Sequence, residues 1–429
     1  RLLNIEPNAA RMKPTIRVIP GEMNCVVDAA ERELARLQRY YQRGCLIVTV
    51  VTDPGTKETR VLDVGQQALV RALSSAATWE RFDARSSEWV GIDPPARHAA
   101  VLYDSCGYPH LPLLNGLARQ PYLRADGSLM NVAGYDKSSG MFGAFDASEF
   151  NIQENPTRKQ AENALDLLKE LLAEFAFAGE SDHSTALAAM ITASVRPSLP
   201  HAPMFHIRAH TVGSGKSYLC ELLTAFATPQ RGTPMTFPID DEECRKMLLA
   251  TLLRAPAVIE FDNLTSDLLA HKSLCTTLSS EFMSGRILGV SKTTTVSTRV
   301  LFPSSGNNVG PVQDMTRRCL TIRIDPGCET PAARNFKRPD LVREVFNDRG
   351  RYVSAALTIV LAWMTAGRPK TECKPLAGYA DWSDLCRQPL LWLGCADPAA
   401  SVFEAMADDP DRGALDRLLT SWFKVFGKT

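Results

Sequence analysis

The residues best suited to chemistry lie between positions 204 and 318. Met204-Phe-His-Ile-Arg-Ala209 is a short apolar run leading into His210-Thr-Val-Gly-Ser-Gly-Lys-Ser217, and Tyr218 to Phe226 then reads as a helix. A strand, a glycine loop, Lys-Ser and a helix are the context a phosphate-binding loop requires. Gly213 and Gly215, with Ser214 between them, let successive backbone N–H groups point inward at a helix N-terminus, which makes an anion nest. Lys216 can reach the β- and γ-phosphates of a nucleoside triphosphate, and the Ser217 hydroxyl can complete a Mg²⁺ shell. Tyr218 opens the helix beside them. One residue departs from the usual pattern, since its first glycine is His210 here.

A second apolar strand, Pro256-Ala-Val-Ile-Glu-Phe-Asp-Asn263, ends in acids. Asp262 is the expected Mg²⁺-ordering carboxylate, facing the loop from a neighbouring strand. A glutamate that polarises the attacking water usually follows, but Asn263 stands there. Glu260, two residues earlier, shares the face of Asp262 by strand alternation. Glu260 could substitute for the missing glutamate if the strand twists or bulges, and which group activates the water is left open. A third strand, Arg299-Val-Leu-Phe302, runs into Ser304-Ser-Gly-Asn-Asn308. A polar amide at such a tip, Asn307 or Asn308, can orient water or sense the γ-phosphate.

Asp314-Met-Thr-Arg-Arg318 follows, and adjacent arginines just before a strand are suited to reach a neighbouring subunit. An arginine supplied in trans is worth roughly 10³–10⁵ in rate by stabilising phosphoryl charge, so Arg317 or Arg318 is the candidate. Between the second and third strands, residues 284–300 carry Arg286, Lys292 and Arg299 and no acid. The pattern predicts a hairpin with Ile287-Leu288 and Val290 in one arm, Thr295-Val296 in the other, and a tip at 291–294. Lys292 in that tip, with Arg286 below it, would touch the phosphates of a nucleic-acid strand.

In this order and spacing the motifs resemble AAA+ helicases of superfamily 3 type, in particular the replicative helicases or primase-helicases of prophages and integrative mobile elements. The stretches that carry the resemblance are Arg286-Ile-Leu-Gly-Val-Ser291, Gly306-Asn-Asn308 and Thr316-Arg-Arg318. Tyr41-Gln-Arg-Gly44, Arg124-x-Asp-Gly-Ser128 and Gly134-Tyr-Asp136 before the loop also match, as do Asp381-Trp382 and Pro389-Leu-Leu-Trp-Leu-Gly394 after it. The resemblance implies ATP and Mg²⁺, a homo-oligomer (a hexameric ring) and single-stranded or forked DNA as partner. It also implies a primase-polymerase near by and a bacterial cytoplasmic setting. An ATP-gated initiator or loader platform and an AAA+ protein remodeller are the rival readings. The polar Ser-Lys-Thr-Thr tip disfavours the remodeller, which would want an aromatic pore loop.

The elements that must position these residues read as an α/β P-loop ATPase with a parallel sheet, preceded by an α+β region and followed by a helical one. Residues 1–82 read as a small α/β module, with strands at 15–20, 45–51 and 60–64 and helices at 26–37 and 66–82. Residues 83–155 are turn-rich, 156–330 form the ATPase domain, and 331–429 form a helical lid or collar. Asn155-Pro156 breaks the chain, and Thr157-x-x-Gln160 is a capping box opening a helix. Of 429 residues, 45% are hydrophobic and 22% charged, ordinary for a globular chain. Lys+Arg 48 balance Asp+Glu 48, so a polyanion must be met by a local basic cluster. No apolar run approaches the ~20 residues of a membrane span. The 11 cysteines are scattered without a C-x-x-C pair, which reads as reduced thiols of a cytosolic protein. His206 and His210 fall on a strand and the following loop, with no third ligand near, so zinc is not expected.

Overall fold

The computed structural model describes residues 13–287, 292–328, 330–407 and 410–427. Along the first hundred residues the hydrophobic period alternates between strand and helix values, and the backbone follows it. β1 (Thr15–Val18), α1 (Met23–Arg36), β2 (Tyr40–Arg43), β3 (Leu46–Thr52), β4 (Thr59–Asp63) and α2 (Gln66–Ala76) succeed one another. α1 buries Val26, Val27, Ala30 and Leu34, an apolar stripe at helical spacing. The helix expected to reach residue 82 stops at Ala76, and Thr78–Asp83 is instead β5, parallel to β1 with Trp79 opposite Ile16. Threonine and aromatic residues there suit a pleated surface. Trp79 is buried in that position, its indole N–H donating to the Leu73 carbonyl.

β6 (Glu88–Ile92) adds antiparallel to β5, and α3 (Ala96–Asp104) packs on α1 and α2. This first unit takes in the chain up to Pro54, Thr59–Asn115 and Ser284–Val296, while Gly55–Glu58, Gly116–Met283 and Ser297–Thr429 form the second. The main division falls after Asn115. Residues 83–115 join the first unit because Ala99 and Leu102 of α3 share its core with Leu34, Leu69 and Leu73.

The second unit opens with short strands, β7 (Gly116–Ala118), β8 (Tyr122–Leu123), β9 (Leu129–Met130), β10 (Gly134–Asp136) and β11 (Met141–Gly143). α4 (Arg158–Leu172) starts at the capping box, where the Thr157 side chain accepts the Gln160 N–H at 3.3 Å and the Gln160 side chain accepts the Thr157 N–H at 2.7 Å. α5 (Glu180–Val195) is buried on all sides over most of its length, polar side chains such as Asp182, Thr185 and Thr192 included. Next come β12 (Met204–Ala209), α6 (Lys216–Ala227), α7 (Asp241–Leu252), β13 (Phe261–Leu264) and α8 (Lys272–Ser279). β14 (Phe282–Arg286) and β15 (Thr293–Ser297) form the hairpin, and β16 (Pro303–Asn307) and β17 (Cys319–Ile324) follow.

β13, β16, β12 and β17 make one parallel sheet in that spatial order. β16 starts four residues later than the 299–302 strand expected from sequence, so Ser304 and Ser305 lie inside it and Asn307 is its last residue. α9 (Leu341–Asn347) and α10 (Arg349–Thr365) complete the core, α10 lying along α4 and α5. Gly350 crosses the Glu149 carbonyl so closely that a Cβ would stand 1.9 Å from its oxygen. Any larger residue there forces the helix off its seat. The buried Arg349 guanidinium donates to the carbonyls of Ala225, Phe226 and Arg119 and to Gln120 Oε1, fixing the end of α6. No helix among the described residues is long and apolar enough to cross a membrane.

Candidate nucleotide site

The carboxyl ends of parallel strands are where open α/β sheets bind ligands, and the chemistry-bearing residues gather there. β12 ends at Ala209, and the loop to α6 passes through Gly213 (φ 74°) and Gly215 (φ 92°), both left-handed. A Cβ is disfavoured at both angles. Gly215 caps α6, so Lys216 and Ser217 open the helix. Ser214 Oγ donates to the Thr211 carbonyl at 2.5 Å, closing the loop on itself. Lys216 is mostly buried with Nζ 3.4 Å from the same carbonyl, and burial lowers its pKa against the pull of Asp262.

Asp262 meets the loop directly. Ser217 Oγ donates to Asp262 Oδ1 at 2.9 Å, and Ser305 Oγ of β16 donates to the same oxygen at 2.5 Å. Ser305 Oγ in turn accepts the Asn263 N–H at 3.1 Å. Ser305 was not singled out from the sequence, although the Ser-Ser pair before Gly306 was visible and strand alternation sends one of the two hydroxyls toward β13. Its neighbour Ser304 serves a different partner: Ser304 Oγ is 2.9 Å from His206 Nδ1, and His206 Nε2 is 2.9 Å from the Val309 carbonyl. Burial pushes the His206 pKa down to about 4, so the ring is neutral and braces the turn that follows β16.

That turn carries both amides. Asn308 is left-handed (φ 53°), and its Oδ1 lies 2.6 Å from His210 Nδ1. Asn307 Oδ1 is buried and has no hydrogen-bond partner. Asn263 is also left-handed (φ 52°) and is exposed just past Asp262. Glu260 lies deeper, 5% exposed, on the side of α6, where the Cys220 thiol donates to it and where its Oε2 and Thr224 both lie within contact distance of the position a Cβ of Gly232 would take. Burial, reinforced by the Asp262 charge, pushes the Glu260 pKa up to about 7.

Mg²⁺ prefers oxygen ligands and is commonly held by one or two protein groups together with phosphates and water. Ser217 Oγ and Asp262 Oδ1 are oxygens already converged to 2.9 Å, and the orphaned Asn307 Oδ1 is an acceptor at the tip of the neighbouring strand. The donor set fits a Mg²⁺–nucleoside triphosphate. Among the described residues there is no cluster of three or more His, Cys, Asp or Glu side chains arranged to hold a metal by themselves.

The two arginines divide. Arg318 is mostly buried and committed, with Nε 2.9 Å from Ser279 Oγ and Nη1 2.6 Å from Asp314 Oδ2. Arg317 keeps its guanidinium at the surface, tethered at 2.5 Å to Asp314 Oδ1. Ser284–Val296 belongs to the first unit, where Lys292 Nζ is 3.0 Å from the Tyr103 carbonyl, 3.0 Å from Asp104 Oδ1 and 4.2 Å from the centre of the Tyr103 ring. Arg286 is exposed at the end of β14. Leu288 and Val290, expected in one arm, and Ser291, expected in the tip, lie outside the described residues.

No family model matches the chain, and no curated protein matches it. Among solved structures, the apo C-terminal region of NrS-1 aligns over 72% of this chain and 66% of its own, at 12% identity and TM-score 0.34. SCCmec type IV Cch, titled an active helicase, aligns over 86% of this chain and 72% of its own, at 12% identity and TM-score 0.33. JCV helicase, bound to a thiazolopyridine compound, aligns over 55% of this chain and 66% of its own, at 12% identity and TM-score 0.23. The chain thus spans just under two thirds of the NrS-1 region and of JCV helicase. Two of the three are helicases by title, and at these TM-scores the likeness carries no argument about this chain.

Proposed function

We propose that the chain is a P-loop ATPase of AAA+ type that binds Mg²⁺-ATP at the carboxyl ends of the β13-β16-β12-β17 strands and acts as a helicase on single-stranded or forked DNA. One observation carries the nucleotide part: the helix-opening Ser217 and Asp262 of β13, 45 positions apart, share a hydrogen bond directly beside two left-handed glycines. A phosphate cradle, a metal acid and a polar strand tip in one rim leave few other uses. In this reading the backbone of 213–215 and Lys216 hold the β- and γ-phosphates. Ser217 and Asp262 hold the ion, which neutralises phosphate charge, and Asn307 or Asn308 orients water.

The helicase part rests on the motif order read from the sequence. It includes a hexameric ring completed by Arg317 in trans, movement on single-stranded DNA through Lys292 and Arg286, and service in mobile-element replication. Arg317 is favoured over Arg318 because the latter's guanidinium is already bound inside its own subunit. The second reading, an ATP-gated DNA-binding platform that does not unwind, is favoured by Asn263 in the usual glutamate position and by the capture of Lys292 on Tyr103 and Asp104.

Steady-state ATP hydrolysis with and without single-stranded DNA, run beside fork unwinding, separates them. A helicase shows DNA-stimulated turnover and strand displacement, both lost in Lys216→Ala. A platform binds nucleotide and DNA with little stimulated turnover. Absence of nucleotide binding in the wild-type chain overturns both.

A further inference from the structure

Beside the phosphate loop the second unit holds a cavity of about 270 Å³, walled by the backbone of 213–215 and by aromatic side chains. The Phe175 and Tyr218 rings stand with centroids 6.2 Å apart and planes 28° apart. Phe175 lies over the loop itself, its Cε1 3.8 Å from where a Cβ of Gly215 would be. Phe336 lines the same space. An aromatic wall therefore begins where the phosphate cradle ends. We propose that this cavity receives the base of the nucleoside triphosphate by its ring faces, and that it does not distinguish adenine from guanine. The proposal rests on the nucleotide reading of the loop and adds the substrate's base to it.

The polar groups lining the cavity decide what it can select. Adenine offers an amino donor at its sixth position, where guanine offers a carbonyl acceptor, so selecting adenine by side chains requires an uncommitted acceptor. Glu174 is the carboxylate lining the cavity, and its two oxygens already accept the N–H groups of Lys337 and Arg338, at 2.7 and 3.0 Å. Tyr218 Oη accepts the Val342 N–H at 3.1 Å and donates to the Pro339 carbonyl at 3.4 Å. Ser214 Oγ is turned to Thr211. What remains is donor capacity: Arg334 spends one Nη on the Glu174 carbonyl and lays its guanidinium over Phe336 at 5.2 Å. A guanidinium can donate to N7 of either purine and to the guanine carbonyl, and none of these contacts rewards adenine. Sites that reject an analogue by four or five orders of magnitude do so by leaving a dedicated polar group unpaired, and the side chains here dedicate none to the adenine amino group. Stacking itself tolerates any base.

The test is kcat/KM of the full chain for Mg²⁺-ATP and Mg²⁺-GTP, with inorganic tripolyphosphate as a competitor that has no ring. The two nucleotides are expected within about tenfold of each other. A preference for ATP beyond about a hundredfold overturns the tolerance. Phe175→Ala, with Phe175→Leu as the milder variant, should raise KM for both nucleotides about tenfold and leave tripolyphosphate competition unchanged. An unchanged KM, or an equal loss of tripolyphosphate binding, removes the base from this cavity. Should wild-type protein bind neither nucleotide nor tripolyphosphate, the loop reading itself falls and takes this proposal with it.

Discussion

His210 Nδ1 lies 2.6 Å from Asn308 Oδ1, so the glycine loop and the tip of the adjacent strand are joined by a side-chain hydrogen bond at the position where a phosphate-binding loop usually has glycine. A glycine there could make no such bond. In the proposed reading this bond couples the phosphate cradle to the amide that would orient water. Replacing either partner by alanine should lower turnover about 2- to 10-fold with little change in KM, as loss of one hydrogen bond of ~1 kcal/mol allows. The double variant should be no worse than the poorer single one. Additive losses in that double-mutant cycle would show that the two residues act separately.

Ser305 is the buried brace of Asp262. Ser305→Ala removes a 2.5 Å donor from the carboxylate and the acceptor of the Asn263 N–H. Partners that orient a metal ligand typically cost 10–100-fold in metal affinity when removed. The Mg²⁺ concentration giving half-maximal hydrolysis should rise by about tenfold, while metal-free nucleotide binding stays as in wild type. An unchanged Mg²⁺ requirement would remove Ser305 from the account.

Glu260 provides a pH test. Its folded pKa is raised to about 7 by burial and by Asp262. Between the ordinary glutamate range and that value the folded chain keeps a proton that the unfolded chain has released, so stability falls as pH rises through this window. Glu260→Gln removes that penalty. The variant should melt above wild type at about pH 8, and the gain should shrink toward zero near pH 4.5. Because Glu260 faces Cys220 and not Asn307, the same variant should keep most of its ATP turnover; near-complete loss would make Glu260 the water-activating group.

Lys292 is held where a helix C-terminus, a carboxylate and a ring all favour a cation. If the hairpin serves DNA, Asp104 competes with the phosphates for it. Asp104→Asn should tighten single-stranded DNA binding about 2- to 5-fold at low salt, the range of an exposed ion pair, and the gain should fade as salt is raised. Unchanged or weaker binding at low salt would separate Lys292 from DNA contact.

Much of this was legible in the chain itself. The glycine loop in its strand-and-helix setting and the capping box at Thr157 depend on local rules, and they appear where those rules place them. What escaped depends on partners distant in sequence. The 66–82 helix was cut at Ala76 because β1, sixty residues earlier, offered Trp79 a buried pairing site. Ser305 gained its role from a neighbouring strand, and Lys292 met Asp104 across 188 positions. The cavity wall needed Phe175, a residue 40 positions before Gly215 that carries no motif.

In the proposed reading Ser217 and Asp262 together hold the ion of a bound nucleotide. Equilibrium binding of a fluorescent ATP analogue, measured with and without Mg²⁺ for wild type and for Asp262→Asn, tests it most directly. Wild type should bind about tenfold or more tightly when Mg²⁺ is added, and Asp262→Asn should gain little while keeping its metal-free affinity. An equal Mg²⁺ gain in both proteins would contradict the claim.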